Sequence, residues 1–380
     1  MDYLKYYDSY KEKALFGRYI TLDDIEPLLL KYKVEVVGES VLGKPIYKYQ
    51  IGTGNTRILI WSQMHGNEST TTKALFDFIN VLNSNSEESG KLLNTFTFSM
   101  LPMLNPDGAK LYTRENTNGI DLNRDAQNLS QPESQILRRV FEEFQPNYCY
   151  NLHDQRTIYG VDNTGKPATV SFLAPAYNEN RDVNEVRLNA MSVIVAMNNT
   201  LQHYIPSQVG RFDDSFNLNC VGDTFQFMKV PTILFEAGHF ADDYDREMTR
   251  KYIFIALLSS VNYLHENVIV SNKNEDYLKI PQNKVVFYDF VYKNVKINYD
   301  SNKKIINFAA QFKEVLNNEK VTFEAEIAQV DNLENYFGHV EIDAKGETYT
   351  DGESNFPILE KKANFYLGES IKIVNGEQIK

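Results

Sequence analysis

The segment Arg57-Ile58-Leu59-Ile60-Trp61-Ser62 is a nearly continuous apolar run. A short run of this kind, without polar alternation, is what a strand covered on both faces requires. A brief polar stretch follows, and then residues 73–82 carry apolar side chains at helical spacing. The unit repeats along the chain. Residues 96–101, 148–152, 170–174 and 232–235 read as strands, while 133–144, 183–203 and 244–264 read as helices. Strands alternating with helices predict an α/β fold with a mostly parallel or mixed central sheet flanked by helices.

Ahead of this region, residues 1–32 carry helical signals, with Thr21 as an N-cap before the acidic turn Asp23-Asp24. Residues 34–37 and 44–51 read as strands. Asn105-Pro106-Asp107-Gly108 reads as a turn, and Ser130 to Glu133 has the spacing of a capping box. The character changes near residue 270. Ser271-Asn272-Lys273-Asn274-Glu275-Asp276 is a polar linker, and beyond it the patterns alternate with a period of two, as in residues 321–327 and 371–373. Residues 306–316 fit a helix or a strand. The expected organisation is therefore a large α/β domain over residues 1–270 and a small, mainly β, accessory domain over 275–380.

Several polar residues stand where such a fold concentrates chemistry. His65-Gly66-Asn67-Glu68 follows one buried strand and precedes a helix, so both side chains arrive at the carboxyl edge of the sheet, where open α/β sheets bind ligands. An imidazole and a carboxylate suit zinc, and a catalytic zinc takes three protein ligands. His153 ends a second strand and is the natural third ligand; alone, it would read as a satisfied core histidine. Glu236 ends the strand 232–235, and a carboxylate placed there is costly unless paired or functional. It is the candidate general base, with an ion pair to an arginine as the plainer reading. Asp121-Leu122-Asn123-Arg124, with Arg114 earlier, could grip a carboxylate and polarise a carbonyl; by itself the segment reads as a charged surface loop.

Taken together, the order His65-x-x-Glu68, Asn105-Pro106-Asp107-Gly108, Arg114, Gly119-Ile120-Asp121-Leu122-Asn123-Arg124, His153 and Phe235-Glu236 resembles the M14 family of zinc carboxypeptidases. The likeness spans roughly residues 38–240. It implies a phosphorylase/hydrolase-like fold and a single zinc ion held by His65, Glu68 and His153. It further implies Asp121 orienting His65, Arg114 stabilising the oxyanion, and Asn123 with Arg124 binding a terminal carboxylate. Glu236 would take a proton from the attacking water and pass it to the leaving amine. The expected activity is that of a zinc metallocarboxypeptidase acting on a peptide or small amide that bears a free carboxylate.

One departure is visible. Relatives carry a tyrosine some twenty residues before the catalytic glutamate, whereas no tyrosine lies between Tyr204 and Glu236 here, and Phe212 in the loop Arg211-Phe212-Asp213-Asp214-Ser215 has no phenol hydroxyl. A specialised substrate becomes more plausible. Asp223 would favour a cationic or amino group, as in murein-type peptides, although a helix N-cap accounts for it equally well. The alternatives are a deacylase of small N-acyl amino acids and a binding protein without catalysis. A net charge of -12 argues against nucleic-acid partners. No signal-like or membrane-spanning segment is seen, so the expected location is the cytoplasm, with Cys149 and Cys220 as reduced thiols.

Overall fold

The computed structural model describes residues 2–267 and 274–379. Two short helices come first, α1 (Tyr3–Tyr10) and α2 (Leu22–Leu29). The start of α2 is fixed by Thr21, whose N–H donates to Asp24 Oδ2 at 2.8 Å, half of the reciprocal bonding of a capping box. The chain then forms β1 (Val34–Glu39), β2 (Pro45–Gly52), β3 (Thr56–Ser62), α3 (Thr70–Leu82), α4 (Glu87–Thr95), β4 (Phe96–Leu101), α5 (Pro106–Leu111), α6 (Pro132–Phe144) and β5 (Tyr148–Asp154). A short strand β6 (Tyr159–Val161) precedes β7 (Val170–Leu173), α7 (Glu185–Leu201), β8 (Val209–Arg211), α8 (Val221–Phe227), β9 (Thr232–Ala237) and α9 (Glu247–Glu266).

Eight strands make one mixed sheet in the order β1-β2-β4-β3-β5-β9-β7-β8. Its centre, β4-β3-β5-β9, is parallel. The pairings β2 with β4 and β7 with β9 are antiparallel. From β3 the chain passes through α3 to β4 on one side, and β5 lies on the other side of β3. The strand order therefore reverses between β3 and β5, which opens a crevice at their carboxyl ends. The apolar run of β3 serves both faces. Ile58 and Ile60 join one core with α3 and α9, while Leu59 and Trp61 join a second with α6. All four are fully buried. Burying an Ile or Leu side chain stabilises by about 1.5–3 kcal/mol, so β3 is the strand around which the sheet is organised.

The chain divides into two units, Met1–Gln155 with Ala168–Asn283, and Arg156–Pro167 with Lys284–Lys380. The first is the α/β unit and ends with α10 (Asn274–Leu278), whose Tyr277 hydroxyl accepts the Ala174 N–H at 3.1 Å. The second contains β6, β10 (Asn283–Val285), β11 (Phe287–Ile297), β12 (Lys304–Asn317), β13 (Lys320–Val330), β14 (Phe337–Asp343), β15 (Tyr349–Thr350), β16 (Phe365–Leu367), β17 (Ile371–Val374) and β18 (Glu377–Ile379). Two four-stranded sheets, β13-β12-β11-β14 and β15-β16-β17-β18, share a core of Phe290, Tyr292, Phe308, Tyr349 and Phe365.

Several local expectations change. Of the expected linker, 271–273 lie outside the described residues, and Asn274, Glu275 and Asp276 open α10. Residues 306–316 are strand, paired along β13 from Phe308↔Val330 to Asn317↔Lys320. Asn105-Pro106-Asp107-Gly108 is not a free turn but the start of α5: Asn105 Oδ1 accepts the Gly108 N–H at 2.9 Å, and Pro106 needs no N–H partner there. Ser130 does not cap α6. Asp125 takes its hydroxyl at 2.8 Å and the N–H groups of Ser130 and Gln131 at 3.0 Å, leaving Gln131 as the N-cap residue.

Candidate metal and active site

The carboxyl ends of β3 and β5 bring His65, Glu68 and His153 together. Each offers a ligand atom within 4.8 Å of the others, and all three residues are buried. Glu68 stands between the rings: Oε1 is 2.8 Å from His65 Nδ1, and Oε2 is 2.8 Å from His153 Nδ1. The two Nδ1 atoms are 3.1 Å apart. On the far side, His65 Nε2 lies 2.9 Å from Asp121 Oδ1. Burial would raise the pKa of Asp121, but His65 and Arg114 beside it hold the carboxyl well below the usual range. As a carboxylate it can only accept, so His65 Nε2 carries a hydrogen, and the neutral ring turns its Nδ1 lone pair toward Glu68.

That lone pair and the Glu68 oxygen, 2.8 Å apart, are two acceptors that a proton on Nδ1 or a bound metal cation can bridge. The donor set of two imidazole nitrogens and one carboxylate oxygen is that of a catalytic zinc. The residues therefore fit a zinc ion.

Glu236 sits one strand over, in β9, directly across the ladder from His153. Burial raises its pKa well above the ordinary value, Glu68 and Asp154 add to the rise, and Arg114 with Arg246 oppose it. Its Oε2 is buried without a hydrogen-bond partner among the described residues. Arg114 follows α5 and bridges the cluster, Nε to Asp121 Oδ2 at 3.1 Å and Nη1 to Glu68 Oε1 at 3.0 Å, while 42% of its side chain stays exposed.

The other expected residues are placed as follows. Asn123 donates its N–H to Asp121 Oδ1 at 2.8 Å and accepts the Val221 N–H on Oδ1 at 3.0 Å, which ties the start of α8 to the cluster. Arg124 is exposed, with Nη1 on the Asn123 carbonyl at 2.7 Å. Asp223 lies inside the first turn of α8 rather than at its N-cap, which is Cys220. It is buried, accepts the Asn217 N–H at 3.1 Å, and burial pushes its pKa up to about 6. Phe212 follows β8 at the sheet edge, two strands from β9.

Residues 31–228 match the profile of the zinc carboxypeptidases, Peptidase_M14. The chain belongs to this family of metallopeptidases. Carboxypeptidase 2 of Trichophyton rubrum is 27% identical over 100 residues, 26% of this chain and 19% of that protein. Gamma-D-glutamyl-L-diamino acid endopeptidase 1 of Lysinibacillus sphaericus is 35% identical over 101 residues, 24% of this chain and 26% of that one. These matches span about a fifth to a quarter of the relatives' length. Among solved structures, carboxypeptidase A from Helicoverpa armigera shares the fold with a TM-score of 0.50 and 16% identity, covering 69% of this chain and 79% of that chain.

Beyond the family's residues, the structure adds supports that the sequence did not suggest. Asp154, next to His153, accepts the N–H groups of Thr70 and Thr71 at 2.9 and 3.2 Å and so locks the N-terminus of α3 beside the cluster. Its place directly after His153 was a usable signal. Arg246 is buried and donates to the carbonyls of Ala237 and Gln155, both at 2.6 Å, pinning the ends of β9 and β5 together. Nothing local in the sequence announces that role, because its partners lie 9 and 91 positions away.

Proposed function

We propose that the protein is a zinc-dependent carboxypeptidase that hydrolyses the last peptide bond of a substrate bearing a free carboxylate. The observation that carries this reading is the convergence of His65, Glu68 and His153 beside a buried Glu236 that pairs with His153 across adjacent parallel strands. A zinc ion held by these three residues supplies Lewis acidity and makes water a usable nucleophile near neutral pH. Glu236, acting as the carboxylate, takes a proton from the attacking water as the new C–O bond forms. It delivers that proton to the amine as the C–N bond breaks. Arg114, half-exposed and held by Glu68 and Asp121, supports the developing oxyanion. The exposed guanidinium of Arg124 and the amide of Asn123 receive the terminal carboxylate.

A second reading concerns the substrate. The likeness to a peptidase of diamino acid-containing peptides, the missing tyrosine and the buried Asp223 support a small or murein-type peptide with an amino group in its terminal residue, in place of an ordinary polypeptide end. Deacylation of small N-acyl amino acids uses the same groups. Among the described residues no helix is long and apolar enough to cross a membrane. The two cysteines stand unpaired, which supports a reducing compartment such as the cytoplasm.

The deciding experiment incubates a mixed pool of peptides, murein-type peptides and acyl amino acids with zinc-loaded protein and reads the products by mass spectrometry, with Glu236→Gln alongside. Loss of single C-terminal residues by the parent alone supports the carboxypeptidase reading. Turnover confined to small amides moves the assignment to the second reading. An unchanged pool overturns both.

A further inference from the structure

The loop from Gln63 to Ser69 is bound from two sides. On one side, Asn105 donates its N–H to the Gln63 carbonyl at 3.1 Å and Asn67 donates to the Thr113 carbonyl at 3.2 Å. Gly66 packs so tightly there that a Cβ would lie 1.9 Å from the Gly108 carbonyl carbon. On the other side runs a strap, residues 12–20, which precedes the family match at 31–228. The Arg18 carbonyl accepts the Ser69 hydroxyl at 2.5 Å, and the Ile20 carbonyl accepts Gln63 Nε2 at 2.8 Å. The same Nε2 donates to the Gly66 carbonyl at 2.9 Å, while Gln63 Oε1 accepts the Thr72 hydroxyl at 2.9 Å.

Gln63 is fully buried and holds a φ of +48°. A non-glycine residue in that region is uncommon and persists where its surroundings over-determine it. Here one amide joins the strap, the loop and α3. The strap is itself anchored, since Arg250 donates to the carbonyls of Leu15 and Glu12 at 2.6 and 2.7 Å and is held in turn by Asp77. A metal loop must hold its ligands to within about half an ångström, and supporting hydrogen bonds set that precision.

We propose that Gln63 is a positioning residue for the metal ligands His65 and Glu68, with the 12–20 strap as its abutment; the inference rests on reading His65, Glu68 and His153 as the zinc site. Replacing the amide by a thioether of similar length leaves two buried carbonyls without their donor and frees the loop to relax.

The test uses the full chain and measures zinc affinity by competition with a chromophoric chelator, independently of turnover. Gln63→Met is expected to weaken zinc binding by about 10–100-fold. Ser69→Ala, which removes a second bond from the loop region to the strap, should weaken it in the same direction and carries the test if Gln63→Met does not fold. Leu201→Ala, a fully buried position on α7, lowers the thermal midpoint and should leave zinc affinity within about twofold of the parent. His65→Ala should lose zinc. Parent-like affinity in the Gln63 and Ser69 variants, with His65→Ala defective, overturns the proposal alone. So does an equal loss in Leu201→Ala, which would mark general loosening. Undiminished binding by His65→Ala overturns the site reading and this inference with it.

Discussion

His65 and Asp121 are joined through Nε2 and Oδ1 at 2.9 Å, and this bond decides which nitrogen of His65 faces Glu68 and His153. Removing the carboxylate releases the ring's orientation and its tautomer. Asp121→Ala is therefore expected to weaken zinc affinity by about 10–100-fold while the fold persists. Chelator competition reads the affinity, and circular dichroism checks the fold. Unchanged affinity would show that the ring is held by packing alone.

Glu236→Gln keeps the size of the side chain and removes the proton acceptor. The expected result is a fall in kcat of about 10²–10⁴-fold, with zinc binding within about threefold of the parent. Steady-state kinetics beside metal titration separates the two. A variant that turns over normally would move the base to another residue.

Asp223 gives a pH signature away from the metal ligands. Burial raises its carboxyl to about 6, with the Asn217 N–H, Arg124 and Arg187 opposing. The fold thus favours the protonated form. That contribution is fully present below the unfolded value of about 3.9 and is lost as pH rises through about 6. Asp223→Asn cannot ionise, so its stability should gain on the parent between pH 4 and 8. The gain should approach about 2–3 kcal/mol, the free energy of moving a buried carboxyl from its ordinary value to about 6. Urea unfolding at both pH values measures it. A difference that does not change with pH would contradict the burial argument.

Asp77 and Arg250 form a fully buried ion pair, Oδ2 to Nε at 2.7 Å and Oδ1 to Nη2 at 2.6 Å, with Glu247 3.2 Å from Nη1. Asp77→Asn leaves the guanidinium without its main partner in a dry environment. The expected destabilisation is about 3–5 kcal/mol, read from the denaturant midpoint. A loss under about 1 kcal/mol would show that Glu247 and the strap carbonyls suffice.

The α/β architecture was legible because its signals are local. An unbroken apolar run such as Ile58 to Trp61 reports burial on both faces, and a polar residue directly after it must emerge at a strand end. By that logic His65, Glu68, His153 and Glu236 all belong at one edge of the sheet. The same local view misassigned Asn105-Pro106-Asp107-Gly108 and Ser130. Each pattern fits more than one use of the same hydrogen-bonding groups, and Asp125 competes for the N–H groups that Ser130 would otherwise leave free.

What the sequence alone determined, then, was which strands are buried and which polar residues stand at their ends, since periodicity and side-chain chemistry act over a few positions. Tertiary structure alone decided the supports. Gln63 meets Ile20 across 43 positions, Asp121 meets His65 across 56, Asp77 meets Arg250 across 173, and residues 156–167 join the β unit from the middle of the α/β unit's sequence. Such pairings follow from how the chain closes on itself: a buried donor or acceptor must find a partner, and no local pattern specifies which distant residue supplies it.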